Sequence, residues 1–259
     1  MKADQLTRLL DDMEEASAAA LVISPHLDDA VLSCGALLAH LAPRHQITVA
    51  TVFTAAAPPP WSLPARRALR GLGQDDAEDL FAQRREEDQD VLAEIGAEAV
   101  NLGFRDALFR RGRRWPAYPT YRLDAARGRV ASCDTGLAAE VSARVGELVR
   151  ARDAAVVFAP LGVGRHVDHL ITRQAARELG RPSRIVYYSD FPYSLKAEPD
   201  AGFVSRTGLV PHPWHVGRAE NADRIAGYRT QFAGLFRDGT VPTRPEIYWL
   251  PANDSTTEV

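Results

Sequence analysis

The sequence predicts an α/β fold: a Rossmann-like, mostly parallel doubly wound sheet with loop insertions at the carboxyl ends of its strands. Three observations lead there. Short β-branched, apolar runs alternate with longer segments of helical period, the pattern of strand–helix–strand units. Two of those runs stop at turns that carry His and Asp together. They are His26-Leu27-Asp28-Asp29 after Ala20–Ser24, and His166-Val167-Asp168-His169 after Ala155–Ala159. In the strand order 3-2-1-4-5 these runs, as strands one and four, are neighbours where the order reverses. Both clusters then fall in the crevice where such sheets bind ligands.

Composition narrows the class. With 259 residues, 46% hydrophobic and 25% charged, the chain suits one domain over 1–259 with a core that needs no cross-links. An insertion is expected at about 107–135 and a C-terminal extension from about 190. A formal net charge of −3 argues against general nucleic-acid binding, which wants a concentrated basic surface. Two cysteines, Cys34 and Cys133, make no disulfide framework, and Cys34 reads as a small core residue. The charged N-terminus lacks the apolar centre of a signal peptide, and no apolar run has the length of a membrane span. A cytoplasmic protein with no membrane and no nucleic-acid partner is expected.

Residues 4–16 set Leu6, Leu9, Leu10 and Met13 at helical spacing. After strand one, a helix runs from Asp29 to about Leu41, stopped by Pro43. Strand two, Gln46–Thr54, is apolar as a strand buried on both faces should be. Ala55–Gly73, with Pro58, Pro59, Pro60 and Pro64, reads as an irregular loop near the site. A helix over Asp75–Ile95 ends at Gly96, and strand three is Ala99–Leu102. Ala107–Thr135 is Arg-rich and carries Trp115, Tyr118 and Tyr121. No RNA-binding motif accompanies it, so a lid or wall for a ring-bearing substrate is expected. A helix over Gly136–Ala151, strand four, a helix from the second motif to near Gly180, and strand five, Arg184–Ser189, follow. Phe191–Tyr193 and Pro211–His215 read as turns at the rim. Beyond them come a helix over 219–236, a last edge strand at Glu246–Trp249, and a frayed tail from Asn253.

The chemistry rests on residue types. One Asp is enough to cap a helix N-terminus, and a cap has no use for an imidazole. Neutral His and carboxylate are zinc ligands, and catalytic zinc sites take three of them and leave a position for water. His166 and His169, three apart, share a helix face.

The two motifs resemble those of the LmbE-like, or PIG-L, zinc-dependent N-deacetylases, with His-Pro-Asp-Asp-Glu and a later His-x-Asp-His. Leu27 and Ala30 depart from the commoner Pro and Glu. That variant is similar to members from actinobacterial secondary metabolism that act on glycosylated antibiotic intermediates. The resemblance implies Zn²⁺ held by His26, Asp29 and His169, with Asp28 as general base. An oxyanion needs a second donor, for which His166 is the candidate, and Asp168 is the candidate for orienting an imidazole. Arg84-Arg85-Glu86-Glu87 resembles the family's Arg-x-x-Glu, implying that Arg84 faces substrate and Glu87 holds it; an exposed salt-bridged face is the alternative. Gly103-Phe104-Arg105-Asp106 resembles Leu-Gly-x-x-Asp, implying that Asp106 reaches substrate. Some relatives carry a Tyr two residues before the first His of the second motif. Here that position is Gly164, so either His166 acts alone or a loop residue such as His215 assists.

The activity implied is hydrolysis of an N-acetyl (N-acyl) group from an amino sugar carried on a larger small-molecule conjugate. A zinc amidase acting on a larger acyl or peptide-like amide is the alternative. A non-catalytic metal-binding subunit is a further one, but it would have no use for Asp28.

Overall fold

In a computed structural model, which describes residues 5–120, 128–179 and 184–252, the apolar runs pair into one sheet. Its strands are β1 Ala19–Ser24, β2 Ile47–Thr51, β3 Glu98–Asn101, β4 Ala154–Pro160, β5 Arg184–Tyr188, β6 Leu209–Trp214 and β7 Glu246–Pro251. They lie in the order β3-β2-β1-β4-β5-β7-β6. β1 to β5 are parallel, with Val22 opposite Val49 on one side and Phe158 on the other. β7 runs antiparallel to both β5 and β6. The expected order of the five parallel strands is the observed one.

Nine helices surround the sheet among the described residues: α1 Gln5–Ala16, α2 Asp29–Leu41, α3 Leu63–Gly71, α4 Ala77–Ile95, α5 Leu137–Ala151, α6 Val167–Arg177, α7 Ala201–Thr207, α8 Arg218–Ile225 and α9 Arg229–Leu235. Side chains alternate along a strand, and the core divides accordingly. Ala20 and Val22 of β1 pack with Leu9, Val31 and Leu92 from α1, α2 and α4. Leu21 and Ile23 face the other way, onto Val141, Val145 and Ile171 of α5 and α6. Cys34 is a buried member of the first core. α2 and α8 approach closely at Gly35, where a Cβ would stand 2.1 Å from Asn221 Oδ1. The Asn221 amide donates to Val31 O across this contact at 2.9 Å. Among the described residues no helix is long and apolar enough to cross a membrane.

Four expectations need correction. The proline-rich stretch 55–73 is not irregular throughout, because it contains α3. Ser62 Oγ caps that helix at Ala65 N, and Pro64 sits in its first turn, where a missing N–H is harmless. The segment 219–236 is two helices. Between them Tyr228 turns inward to donate to Asp88 Oδ1 at 2.8 Å, and Glu87 accepts from Thr230 N at the start of α9. Pro211–Trp214 is not a turn but part of strand β6, where the prolines are tolerated because β6 is the sheet edge. Consequently β7 is interior, flanked by β5 and β6, rather than the edge. Tyr121, Gly180 and the tail from Asn253 lie outside the described residues.

Asp88 is 3% exposed. Burial pushes its pKa up to about 7 against the opposing hydrogen bonds from Tyr228 and Thr51. Between about pH 4 and pH 7 the unfolded chain has released this proton and the folded chain keeps it, so stability falls as pH rises through that window. Asp88→Asn should remove this residue's share of the slope. Relative to wild type, the variant should gain about 3 kcal/mol between pH 4.5 and 7.5, at about 1.4 kcal/mol per pKa unit. Urea unfolding midpoints of both proteins at the two pH values check this.

Candidate active site

Parallel strands deliver the ends of β1, β4 and β5 to one side of the sheet, and the polar side chains of the site follow directly from them. His26, Asp28 and Asp29 come from the turn after β1, where Ser24 Oγ accepts from Ala30 N and fixes the start of α2. His166 and His169 open α6 after β4, and Asp190 follows β5.

Two imidazoles meet one carboxylate. His26 Nδ1 and His169 Nε2 lie 3.0 and 3.2 Å from Asp29 Oδ2. The opposite ring nitrogens are held by other carboxylates. His26 Nε2 is 3.1 Å from Asp168 Oδ2, and His169 Nδ1 is 2.6 Å from Asp190 Oδ1. His169 Nε2 is buried and makes no hydrogen bond. Two nitrogens and a carboxylate oxygen around one point, each ring steadied from behind, form the donor set of a divalent metal. A second group, His26, His166 and Asp168, also brings its atoms within reach of a common ion. Its donors are already committed. Asp168 accepts from Arg110 Nη2 and Ala107 N, and His166 Nδ1 accepts from Asp168 N at 3.3 Å. The first group fits a metal better.

The charges agree. Burial disfavours the charged form of His169, yet Asp29 and Asp190 overcome it and lift the pKa to about 9. His26 is raised well above its usual value in the same way, by Asp168 and Asp29 against burial. Asp29 is held well below the carboxylate range because the imidazoles outweigh its burial. A site that draws protons onto two imidazoles is one that favours positive charge. Asp28 behaves differently. Its side chain makes no capping hydrogen bond to α2, and burial, with the adjacent Asp29 charge, pushes it up to about 7. His166 is neutral: burial lowers its pKa to about 3.

A cavity of about 880 Å³ opens above these groups, and Arg84 and Asp106 line it beside His26, Asp28 and Asp29. Arg84 lies against the Phe81 ring. Asp106 Oδ1 caps Leu108 N at 2.7 Å, and its Oδ2 is 3.8 Å from His26 Nε2. Glu87 does not hold Arg84. It points to Thr230, accepting from both N and Oγ1. Nor is His215 near the metal group. It is exposed and follows the edge strand β6, four strands from β1 and thus about 20 Å away at the usual strand spacing. Trp115 is 75% exposed and Tyr118 is buried on Asp134, so neither lines the cavity. The Pro58–Trp61 loop also stays outside it, with the Trp61 indole bonded to Ala57 O. The 107–135 segment does supply wall through Leu108, Phe109 and Pro119, as the Phe191–Tyr193 turn does through Tyr193 and the 55–73 stretch through α3; α9 adds further wall. A Cβ on Gly164 would stand 2.7 Å from the Tyr193 ring. That ring occupies the space instead, edge-on to His169 at 5.3 Å.

The sequence gives Asp190 and Arg110 no role, although Asp190 stands at a strand's carboxyl end. Asp190 had a legible signal, since it directly follows an apolar run at its carboxyl end, as His26 and His166 nearly do. Arg110 had none, because it is one of several Arg between 110 and 114. It is 7% exposed, ties Asp168 to Asp134, and packs over Phe53.

Fold and site together define a doubly wound α/β protein with a His-Asp-His group that could hold a metal ion at its switch point. A family model described as PIG-L: GlcNAc-PI de-N-acetylase matches residues 21–179, and the chain belongs to that family. The 2'-N-acetylparomamine deacetylase of Streptomyces fradiae is 37% identical over 199 residues, which are 74% of this chain and 64% of that protein. The alignment therefore spans less than two thirds of that relative. The protein of the same name from Niallia circulans is 26% identical over 94% of both chains. The solved zinc-inhibited form of a teicoplanin deacetylase superposes with a TM-score of 0.73 at 26% identity, covering 92% of this chain and all of that one.

Arg110→Met should leave Asp168 and Asp134 buried without their cation and cost roughly 3–5 kcal/mol, the usual penalty for breaking a buried pair. Chemical denaturation of the variant against wild type measures it.

Proposed function

We propose that the chain is a zinc-dependent N-deacetylase that removes the N-acetyl group of an amino sugar carried on a larger small-molecule conjugate. The observation that carries this reading is the division of labour between neighbours: Asp29 joins two imidazoles, while Asp28 stands uncommitted at the floor of the cavity. The family and the names of the relatives, a 2'-N-acetylparomamine deacetylase and a teicoplanin deacetylase, support the same reaction.

His26, Asp29 and His169 would hold the ion, with Asp168 and Asp190 orienting the two rings. Zinc bound there would lower the pKa of a water and polarise the amide carbonyl. Asp28 takes a proton from the attacking water and, as the C–N bond breaks, returns one to the departing amine. The water oxygen stays with the acetate. His166 accepts the Asp168 N–H at Nδ1, so the proton of its neutral ring sits on Nε2, from which it can be donated to the oxyanion. Arg84 and Asp106 face the sugar from the cavity wall.

The test is incubation of the zinc-loaded protein with N-acetyl and longer N-acyl amino-sugar conjugates, followed by mass spectrometry for loss of the acyl group. Release of acetyl is expected. Turnover of the longer acyl series alone would favour the amidase alternative, and no turnover with metal bound would favour a non-catalytic subunit. In parallel, Asp28→Asn should keep its zinc and lose roughly 10²–10⁴ in rate, the range for a general base. His169→Ala should lose the zinc itself. Metal analysis of both variants separates ligand from base.

A further inference from the structure

The rim of the cavity has a charge of its own. Arg67 of α3 and Arg237, just past α9, line it from two separate elements, and Arg84 lies deeper. Burial raises the carboxyl pKa values of Asp28 and Asp106, and the Arg84 guanidinium facing them opposes that rise. Arg67 and Arg237 are exposed and, among the described residues, form no ion pair. The carboxylates of the lining are Asp28, Asp29 and Asp106, all buried at the floor. Leu72 and Leu235 line the same cavity and are 46% and 37% exposed. An apolar, cationic mouth above an acidic floor has formed in a chain whose formal net charge is −3.

We propose that the group attached to the amino sugar is apolar and carries an anion, a carboxylate or a phosphate, which Arg67 and Arg237 meet at the mouth. This rests on the deacetylase reading above. The arrangement orients the substrate by charge. The rim guanidinium groups attract the anion, so the charged end stays at the mouth and the N-acyl sugar goes down. Low-dielectric walls concentrate such a field. The apolar part of the aglycone covers Leu72 and Leu235, which would otherwise remain in water. A polycationic aminoglycoside would instead bring its ammonium groups past three guanidinium groups.

The experiment uses four N-acetylglucosaminides with para-substituted phenyl aglycones: carboxylate, phosphate, neutral carboxamide and cationic aminomethyl. Binding to the zinc-loaded protein is measured by calorimetry at low and high salt, and loss of acetyl is followed separately by mass spectrometry. The carboxylate, the phosphate or both should bind about tenfold more tightly than the carboxamide, the sum of two exposed charge contacts. The aminomethyl compound should bind most weakly, and the spread should shrink with salt. Whichever of the two anions binds better identifies the source of the charge. Arg67→Gln with Arg237→Gln should bring the anionic compounds level with the carboxamide. Equal affinities across the series, or a preference that survives the double substitution, would overturn the proposal. Charge-selective binding without acetyl loss would leave it standing and remove the deacetylase reading; acetyl loss without selectivity would do the reverse.

Discussion

Five carboxylates, those of Asp28, Asp29, Asp106, Asp168 and Asp190, are buried in one place. Such a concentration of negative charge is expensive in a protein interior unless each group finds protons, donors or cations. Much of the local structure answers that requirement. Asp168 takes Arg110, Ala107 N and His26. Asp190 takes Val163 N and His169. Asp106 takes Leu108 N. Asp29 takes the two imidazoles and the His26 amide, so its compensation depends on protons carried by the rings, and a cation where the ring nitrogens converge could replace them. Asp28 is left to burial and its charged neighbour, which push its pKa up.

Helix α4 links this centre to the outer wall. Arg84 enters the cavity, whereas Glu87 and Asp88, one turn further on, hold Thr230 and Tyr228. The wall made by α9 is thus fastened to the same helix that presents a cation to the floor. Wall and floor share a rigid support, as a site that must position a substrate requires.

How much of this was readable in the sequence depends on the range of the interactions. Strands β1, β2 and β4 were legible because a strand buried on both faces must be apolar throughout, and turn residues mark its ends. The clustering of His26, Asp29 and His169 was legible because all three sit beside such ends. What failed was long-range or edge-dependent. Glu87 looks like a partner for Arg84 only along the helix, while its true partner is 143 residues away. The Pro–aromatic run of β6 looks like a turn until an edge position makes its prolines acceptable. Trp115 and Tyr118 suggested a stacking wall, but one is left in solvent and the other is used to satisfy Asp134. Capping by Ser62 overrode the reading of the proline-rich stretch as loop.

The two rims of the sheet have a consequence for the company this molecule keeps. At one side, β6 has proline at alternate positions 211 and 213, so an incoming strand would find carbonyls there without matching amides. At the other side, β3 is only four residues long. Its Glu98 is bound by Arg152 and Thr48, which places a charged clasp where a neighbour would have to register. Both margins are therefore poor templates for strand addition. Self-association through an extended intermolecular sheet, the common hazard of open α/β architectures, is disfavoured by composition at each end rather than by a covering element.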